Sequence, residues 1–387
     1  MRYLIFLLFL AYIPANAQAL RDINYRFLYN PAEPVHFQFE PVRAGNTWTV
    51  FYSFQVRDTT VKKEDFVLQF DVRSTLGEKE GRSISLDSVT KISAPHATHG
   101  QVQLPVSASV QFLTVKLLNN ILQKAWMFYV VLDPNYPVRE HLLAGTVPVL
   151  TPYIHKSTTV SLDGAASESI VSYYNDNFPA ATPGFSEALG RVSKGMSIDS
   201  TFRVAKNQPV TFSQKGLYLV QPDTSIAEGL AFRVEDDYPR LARIENLADP
   251  LIYICTKQEF EKVKQAKGEK KAFDRVILSI TGDAERAKTF MRSYFRRVEL
   301  ANQYFTSYKE GWKTDRGMIF IIFGLPDEVF RLGDRELWNY KSTSIKANFE
   351  FTRSSTVFDP DNYVLIRQKK YQTTWYEVID LWRNARF

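Results

Sequence analysis

The densest group of residues able to do chemistry in this 387-residue chain lies between Tyr308 and Asp327. Glu310, Asp315 and Asp327 supply carboxylates, Arg316 a fixed positive charge and Thr314 a hydroxyl. An acid and a base flanking one bond, with a cation to stabilise developing negative charge, suit a hydrolase acting on peptidoglycan or peptide. Asp315 or Asp327 is then the general acid/base, with Arg316 beside it. Met318 to Phe323 reads as a central strand, which would hold its two ends about 20 Å apart. Two carboxylates at that separation do not serve one bond, so a second acid has to come from Glu310 or Glu336. The same residue types also build turns. Gly311 suits a positive φ ending a helix, and Trp312 would fold its ring back onto a sheet. Thr314 and Asp315 suit bonds to backbone N–H groups two residues on, while Gly317 and Pro326-Asp327 suit turns at the strand's two ends. On that second reading the segment is a conformational lock.

Other catalytic sets are incomplete. The five histidines are His36, His96, His99, His141 and His155, all ahead of the segment. His96 and His99 form the one close pair, in flanks that read as loop with no third ligand, so no metal site is expected. Ser88 and Lys91 have S-x-x-K spacing without a companion motif, and the chain has no G-x-S-x-G elbow, no HExxH and no phosphate-binding glycine loop. Cys255, the single cysteine, excludes an internal disulfide and a thiolate cluster; with no histidine near it in sequence, it reads as an inert buried thiol. Asp359-Pro360-Asp361-Asn362 reads as a turn, not a calcium loop. No cofactor is expected. One further surface is a candidate binding site: Glu336, Trp338 and Tyr340 alternate along a strand and share a face. If open, that face would suit a glycan or a peptide; under a helix it is core.

The elements that must position these residues fall into three units behind a leader. Residues 1–17 carry Arg2, an apolar run from Tyr3 to Ile13, and Ala15-Asn16-Ala17, the pattern of a cleaved signal peptide. The run is too short for a bilayer, which needs about 20 residues. The mature chain is expected to begin near Gln18, without a lipid-bearing cysteine, and to be periplasmic, secreted or associated with the outer membrane. No later stretch reaches transmembrane length. Residues 18–150 read as an antiparallel β-sandwich of immunoglobulin-like type, with short aromatic and β-branched strands such as Trp48–Phe54 and Phe66–Val72. Residues 151–244 read as a second, looser β domain. Residues 245–387 read as an α+β domain with a long amphipathic helix packed on an antiparallel sheet. In that helix Ala287, Met291, Tyr294, Val298, Ala301 and Phe305 recur at helical spacing. Its other row, Glu285, Lys288, Arg292, Arg296 and Glu299, reads as a solvated face. Tyr371 to Ala385 fits a closing helix or a last strand.

The composition, 45% hydrophobic and 23% charged, excludes a disordered tail. A formal net charge of +6 is too mild to indicate nucleic acid. Residues 245–387 hold 25 Lys/Arg against 20 Asp/Glu, whereas residues 18–244 hold 22 of each. The excess sits on the C-terminal third and points to an acidic partner there.

The run Tyr308-Lys309-Glu310-Gly311-Trp312-Lys313-Thr314-Asp315-Arg316-Gly317 resembles the signature of the GWxTD domain family, an uncharacterised group of exported bacterial proteins. Gly311, Trp312, Thr314 and Asp315 are the motif residues. The likeness extends from about Leu251 to Tyr340, through Arg297-Val298-Glu299, Ala301-Asn302 and Glu336-Leu337-Trp338. The resemblance implies β-rich segments ahead of the motif domain and no settled chemistry. The expectation is a non-catalytic cell-envelope interaction or scaffold protein. Its C-terminal domain would bind an envelope protein or polymer, with the hydrolase as the alternative.

Overall fold

The computed structural model describes residues 18–58, 60–85, 89–93, 97–135, 138, 140–164, 166–175, 177–186, 196–266, 268–343 and 345–387, without the side chains of 89–93 and 97. Residues 1–17, where a signal peptide is expected, and Ser88 and His96 lie outside these residues.

Alternating large apolar residues build the first unit from two four-stranded antiparallel sheets. One sheet runs β1 (Val35–Ala44), β2 (Thr47–Val56), β6 (Ala97–Pro105), β5 (Val89–Ser93). The other runs β4 (Arg82–Ser83), β3 (Phe66–Arg73), β7 (Gln111–Asn119), β8 (Lys124–Leu132). Trp48, Val50, Tyr52 and Phe54 of β2 share one core with Phe70, Leu113, Val115 and Trp126. Period-2 burial of this kind is what a two-layer sandwich requires.

A second sandwich follows. Its sheets are β10 (Val147–Pro148), β9 (Glu140–Ala144), β12 (Thr159–Gly164), β15 (Val210–Thr211) and, facing them, β11 (Tyr153–His155), β17 (Leu230–Glu235), β16 (Gly216–Gln221), β13 (Glu168–Tyr174), β14 (Ser200–Ala205). Val160, Leu162, Val171, Tyr218 and Phe232 fill the space between them. All pairings are antiparallel except β11 with β17.

The C-terminal region is helical and then sheet. Its helices are α1 (Ile244–Leu247), α2 (Lys257–Gln265), α3 (Lys270–Thr281), α4 (Ala284–Phe305) and α5 (Asp315–Phe323). An antiparallel sheet follows, β18 (Glu328–Arg331), β19 (Arg335–Lys341), β20 (Lys346–Arg353), β21 (Tyr363–Leu365), and α6 (Gln372–Arg383) closes the chain. The ends are set by local chemistry. Thr256 and Glu259 cap α2 reciprocally, Gly282 ends α3 in the left-handed region, and the Asp283 carboxylate accepts the Glu285 and Arg286 N–H groups at the start of α4.

One expectation changes here, and one open choice is decided. Met318 to Phe323 is the body of helix α5, not a strand, and every residue from Gly317 to Phe323 is buried. A helix covered on all sides carries no periodicity, so a short apolar run cannot be told from a buried strand. The undecided segment from Tyr371 onward is helical as α6. Among the described residues no helix is long and apolar enough to cross a membrane.

Residues 19–29 do not belong to the first sandwich alone. Leu20, Ile23, Tyr25 and Tyr29 are buried in the same core as Val329, Trp338 and Phe351. Asn24 donates from Nδ2 to the Asp327 carbonyl (3.1 Å) and accepts the Val329 N–H on Oδ1 (3.0 Å). Arg26 Nε donates to the Pro326 carbonyl at 2.9 Å, and the Tyr29 hydroxyl donates to Glu336 Oε1 at 2.8 Å. Residues 20–29 and the last sheet therefore share one interior. Tyr29→Phe keeps the ring and deletes the bond to a buried carboxylate; it should lower unfolding free energy by about 1–3 kcal/mol in denaturant titration.

Candidate functional site

The motif is a close crossing of two backbone segments. Gly311 lies in a short 3-10 turn over α4, and a Cβ there would sit 2.1 Å from the Ala301 carbonyl oxygen. Gly311 is thus required by contact, and not by the positive φ expected from the sequence. Gly317 is required likewise, since its Cβ would meet the Gly311 carbonyl oxygen at 1.9 Å. Thr314 caps α5: its Oγ1 accepts the Gly317 N–H at 3.0 Å and donates to the Gly311 carbonyl at 2.8 Å. Asn302 of α4 reaches the turn from below, with Oδ1 accepting the Trp312 N–H at 3.0 Å. The Trp312 ring packs against Tyr253 rather than on a sheet, and the Tyr253 hydroxyl donates to the Trp312 carbonyl at 2.8 Å.

Asp315 faces inward. Its Oδ2 accepts the Leu365 N–H at 2.9 Å, and its Oδ1 accepts from Arg367 at 2.5 Å. Arg367 also donates to Thr182 Oγ1 at 3.0 Å, which fastens the loop at 177–186 to the motif. The bonds expected from Thr314 and Asp315 to N–H groups two residues on thus become an N-cap and a tie fifty residues long. Asp327 stands exposed beyond the far end of α5, its Oδ2 accepting the Lys341 N–H at 2.6 Å. Because α5 is a helix, its nine residues rise only about 13 Å. The separation of the two carboxylates is therefore set by a helix and not by an extended strand.

Beside the motif a cleft of about 290 Å³ opens between β16–β17 and the 3-10 turn. Asn175, Asn177, Lys215, Arg233, Glu310 and Lys313 are among the residues lining it. Its charges are matched from within. Arg233 lies 2.7 Å from Glu235 and 3.6 Å from Glu310, Lys215 lies 2.8 Å from Glu235, and Lys313 lies 2.9 Å from Glu310. Lys313 also donates to Asn177 Oδ1 at 2.7 Å. Burial opposes ionisation of Glu310, but the charges of Arg233 and Lys313 outweigh it and hold the carboxyl below the usual glutamate range. Neighbouring Lys309 has its amine pushed down to about 8 by burial, against the pull of Asp315.

The proposed binding face closes into core. Glu336 and Trp338 are fully buried and Tyr340 is 5% exposed. Trp338 Nε1 donates to Glu336 Oε1 at 2.7 Å, and the Tyr340 hydroxyl donates to the Gly324 carbonyl at 2.8 Å. Glu336 Oε2 lies 3.2 Å from Arg331 and 3.6 Å from Arg316. Burial disfavours the Glu336 carboxylate, yet Arg331 and Arg316 keep its pKa below the usual value. Arg316 is therefore a counter-charge in the core, its guanidinium over the Tyr363 ring at 4.6 Å. Pro326 offers only its carbonyl, to Arg26.

Sequence reasoning missed Tyr238, whose hydroxyl accepts the Gly311 N–H at 3.0 Å, together with Arg233 and Arg367, all far from the motif in the chain, and the role of Asn302, nine residues ahead of Gly311. The one signal available was Ala301-Asn302 standing in the likeness itself. Cys255 has its thiol pushed up to about 12 by burial. Among the described residues no three His, Cys, Asp or Glu side chains could hold a metal ion together.

Residues 216–384 match the family model described as the GWxTD domain. The match begins at the first residue of β16, so it takes in one wall of the cleft as well as the motif, and it is longer than the likeness read from the sequence. No curated protein matches the chain. Among solved structures the chain is similar to the I-band fragment I67-I69 from titin, at 10% identity and a TM-score of 0.17, over 53% of this chain and 66% of that one. A likeness at that level carries no argument about either fold or function.

Two outcomes follow from this geometry. Gly311→Ala forces a methyl group into the α4 backbone and should cost on the order of 3 kcal/mol in stability, read by thermal unfolding. Asp359 has its carboxyl raised from 3.8 to about 7 by burial and by Asp361, with Arg316 and Ser307 opposing. Between those pH values the folded chain holds a proton that the unfolded chain has released, so this group's contribution to stability falls as pH rises. Asp359→Asn should flatten the decline of melting temperature between about pH 4 and pH 7.

Proposed function

With a GWxTD domain as its C-terminal unit, we propose that this chain is a non-catalytic cell-envelope protein whose C-terminal domain binds another protein or an envelope polymer. The observation that carries this reading is the engagement of Asp315 by the Leu365 N–H and Arg367. A general acid has to reach substrate, and this carboxylate is 9% exposed and matched by a buried guanidinium. The leader supports export to the periplasm or beyond. The two β units, read as immunoglobulin-like modules, hold the motif domain, in which α4 packs by way of Phe305 against Trp338 of the sheet.

The contact site moves from the Trp338–Tyr340 face to the cleft beside the motif. Asn175, Asn177 and Lys215 edge that cleft, with amide and ammonium groups able to meet a polar ligand. The hydrolase reading stands second, with Asp327 as its one exposed acid and no second carboxylate paired with it.

Asp315→Asn separates the two readings. The binding-protein reading predicts a loss of about 3–5 kcal/mol, because Arg367 would be left buried without its counter-charge, and no hydrolytic activity in the parent chain on peptidoglycan or peptide substrates. Turnover by the parent chain, lost in a variant with an unchanged melting curve, would support the hydrolase. In envelope fractions, a photo-crosslinking residue at Asn175 should capture a defined component that one placed at exposed Ile226 does not. Equal labelling from both positions contradicts the cleft assignment.

A further inference from the structure

The basic excess of the chain is concentrated more tightly than its C-terminal third. Residues 256–305, which contain α2, α3 and α4, hold 12 Lys/Arg against 7 Asp/Glu, a surplus equal to that of the whole region 245–387. The three helices pack in order, α2 on α3 and α3 on α4. Ion pairs absorb part of the charge: Lys264 with Asp249, Lys270 with Asp274, Arg286 with Asp283 and Arg296 with Glu299. Lys257, Lys262, Lys271, Arg275, Lys288 and Arg292 are exposed and enter no ion pair among the described residues. Only Glu261, Glu269 and Glu285 stand unpaired and exposed on the same helices.

The spacing works against the helices themselves. Lys271 and Arg275, and again Lys288 and Arg292, are like charges four residues apart, an arrangement that weakens an isolated helix. Leu278 stands 43% exposed one turn beyond Arg275, and Ile252 stands 42% exposed just ahead of α2. A soluble polyanion would match the cations and leave these side chains in water. The interface of an anionic bilayer takes both, headgroup phosphates for the cations and the acyl boundary for the aliphatic tips.

We propose that the outer face of α2–α4 is a docking surface for an anionic lipid bilayer, separate from the cleft beside the motif. The contact is peripheral and electrostatic, and therefore reversible by salt.

The test uses the full mature chain and sedimentation with vesicles of phosphatidylglycerol in phosphatidylcholine, against vesicles of phosphatidylcholine alone. Binding to the anionic vesicles only, released by high salt, is the expected result. The variant Lys271→Glu/Arg275→Glu/Lys288→Glu/Arg292→Glu should lose ~100-fold or more in partitioning. Its melting temperature should match that of the parent. Should that variant unfold, Lys271→Gln/Lys288→Gln gives the same comparison with a loss of ~10-fold. Leu278→Ser should weaken vesicle binding several-fold and leave binding to soluble polyglutamate unchanged. No binding to anionic vesicles, equal binding to neutral ones, an unaffected variant, or binding to polyglutamate without binding to vesicles would each overturn the proposal.

Discussion

A carboxylate removed from water must be matched by positive charge and by donors, and Glu336 imposes that requirement on three parts of the chain at once. Its two oxygens gather Tyr29 from the segment 19–29, Trp338 from its own strand, Arg331 from the neighbouring strand and Arg316 from the motif helix. Removing a partner from such a cluster leaves a charge stranded, which is why its geometry is strongly specified. The same constraint repeats at Asp315 with Arg367 and Thr182, and again where Arg233 meets Glu235 and Glu310. Each cluster joins segments that the chain order keeps far apart. The second sandwich, the motif turn and the last sheet are tied together by compensated charge as well as by apolar packing.

This changes what the GWxTD residues do. Gly311 and Gly317 permit two backbones to approach within contact distance, Thr314 caps the helix that results, and Asp315 anchors it to the strand at Leu365. Trp312 fills the space beneath, against Tyr253. None of these five positions presents a reactive group to solvent. The groups left facing outward are those beside the motif, in the cleft, and those of the helical layer.

Much of the fold was legible because its physics is local. Alternation in Trp48–Phe54 marks a strand whose one side is buried, and the stripe through Tyr294, Val298, Ala301 and Phe305 lies on the buried side of α4. Legibility failed where the environment is uniform or the partner distant. Met318 to Phe323 is covered on every side, so the cue that separates helix from strand disappears. Trp338 and Tyr340 suit either a sugar face or a core until Tyr29 and Phe305 are packed on the first and Phe323 on the second. Nothing near Asp315 in the sequence announces Arg367, and nothing near Gly311 announces the Ala301 carbonyl. The motif residues stand together in the sequence; their structural roles depend on contacts between residues tens to hundreds of positions apart.

The central claim is that the segment 19–30 and the last sheet form one cooperative interior around Glu336. Native-state hydrogen exchange followed by mass spectrometry tests it most directly, comparing peptides from 19–30 and 328–341 in the parent and in Glu336→Gln. The account predicts that both peptides are protected to the same degree and lose protection together in the variant, as parts of one opening unit do. Exchange of 19–30 at the rate of an unfolded chain, while 328–341 stays protected, would contradict it.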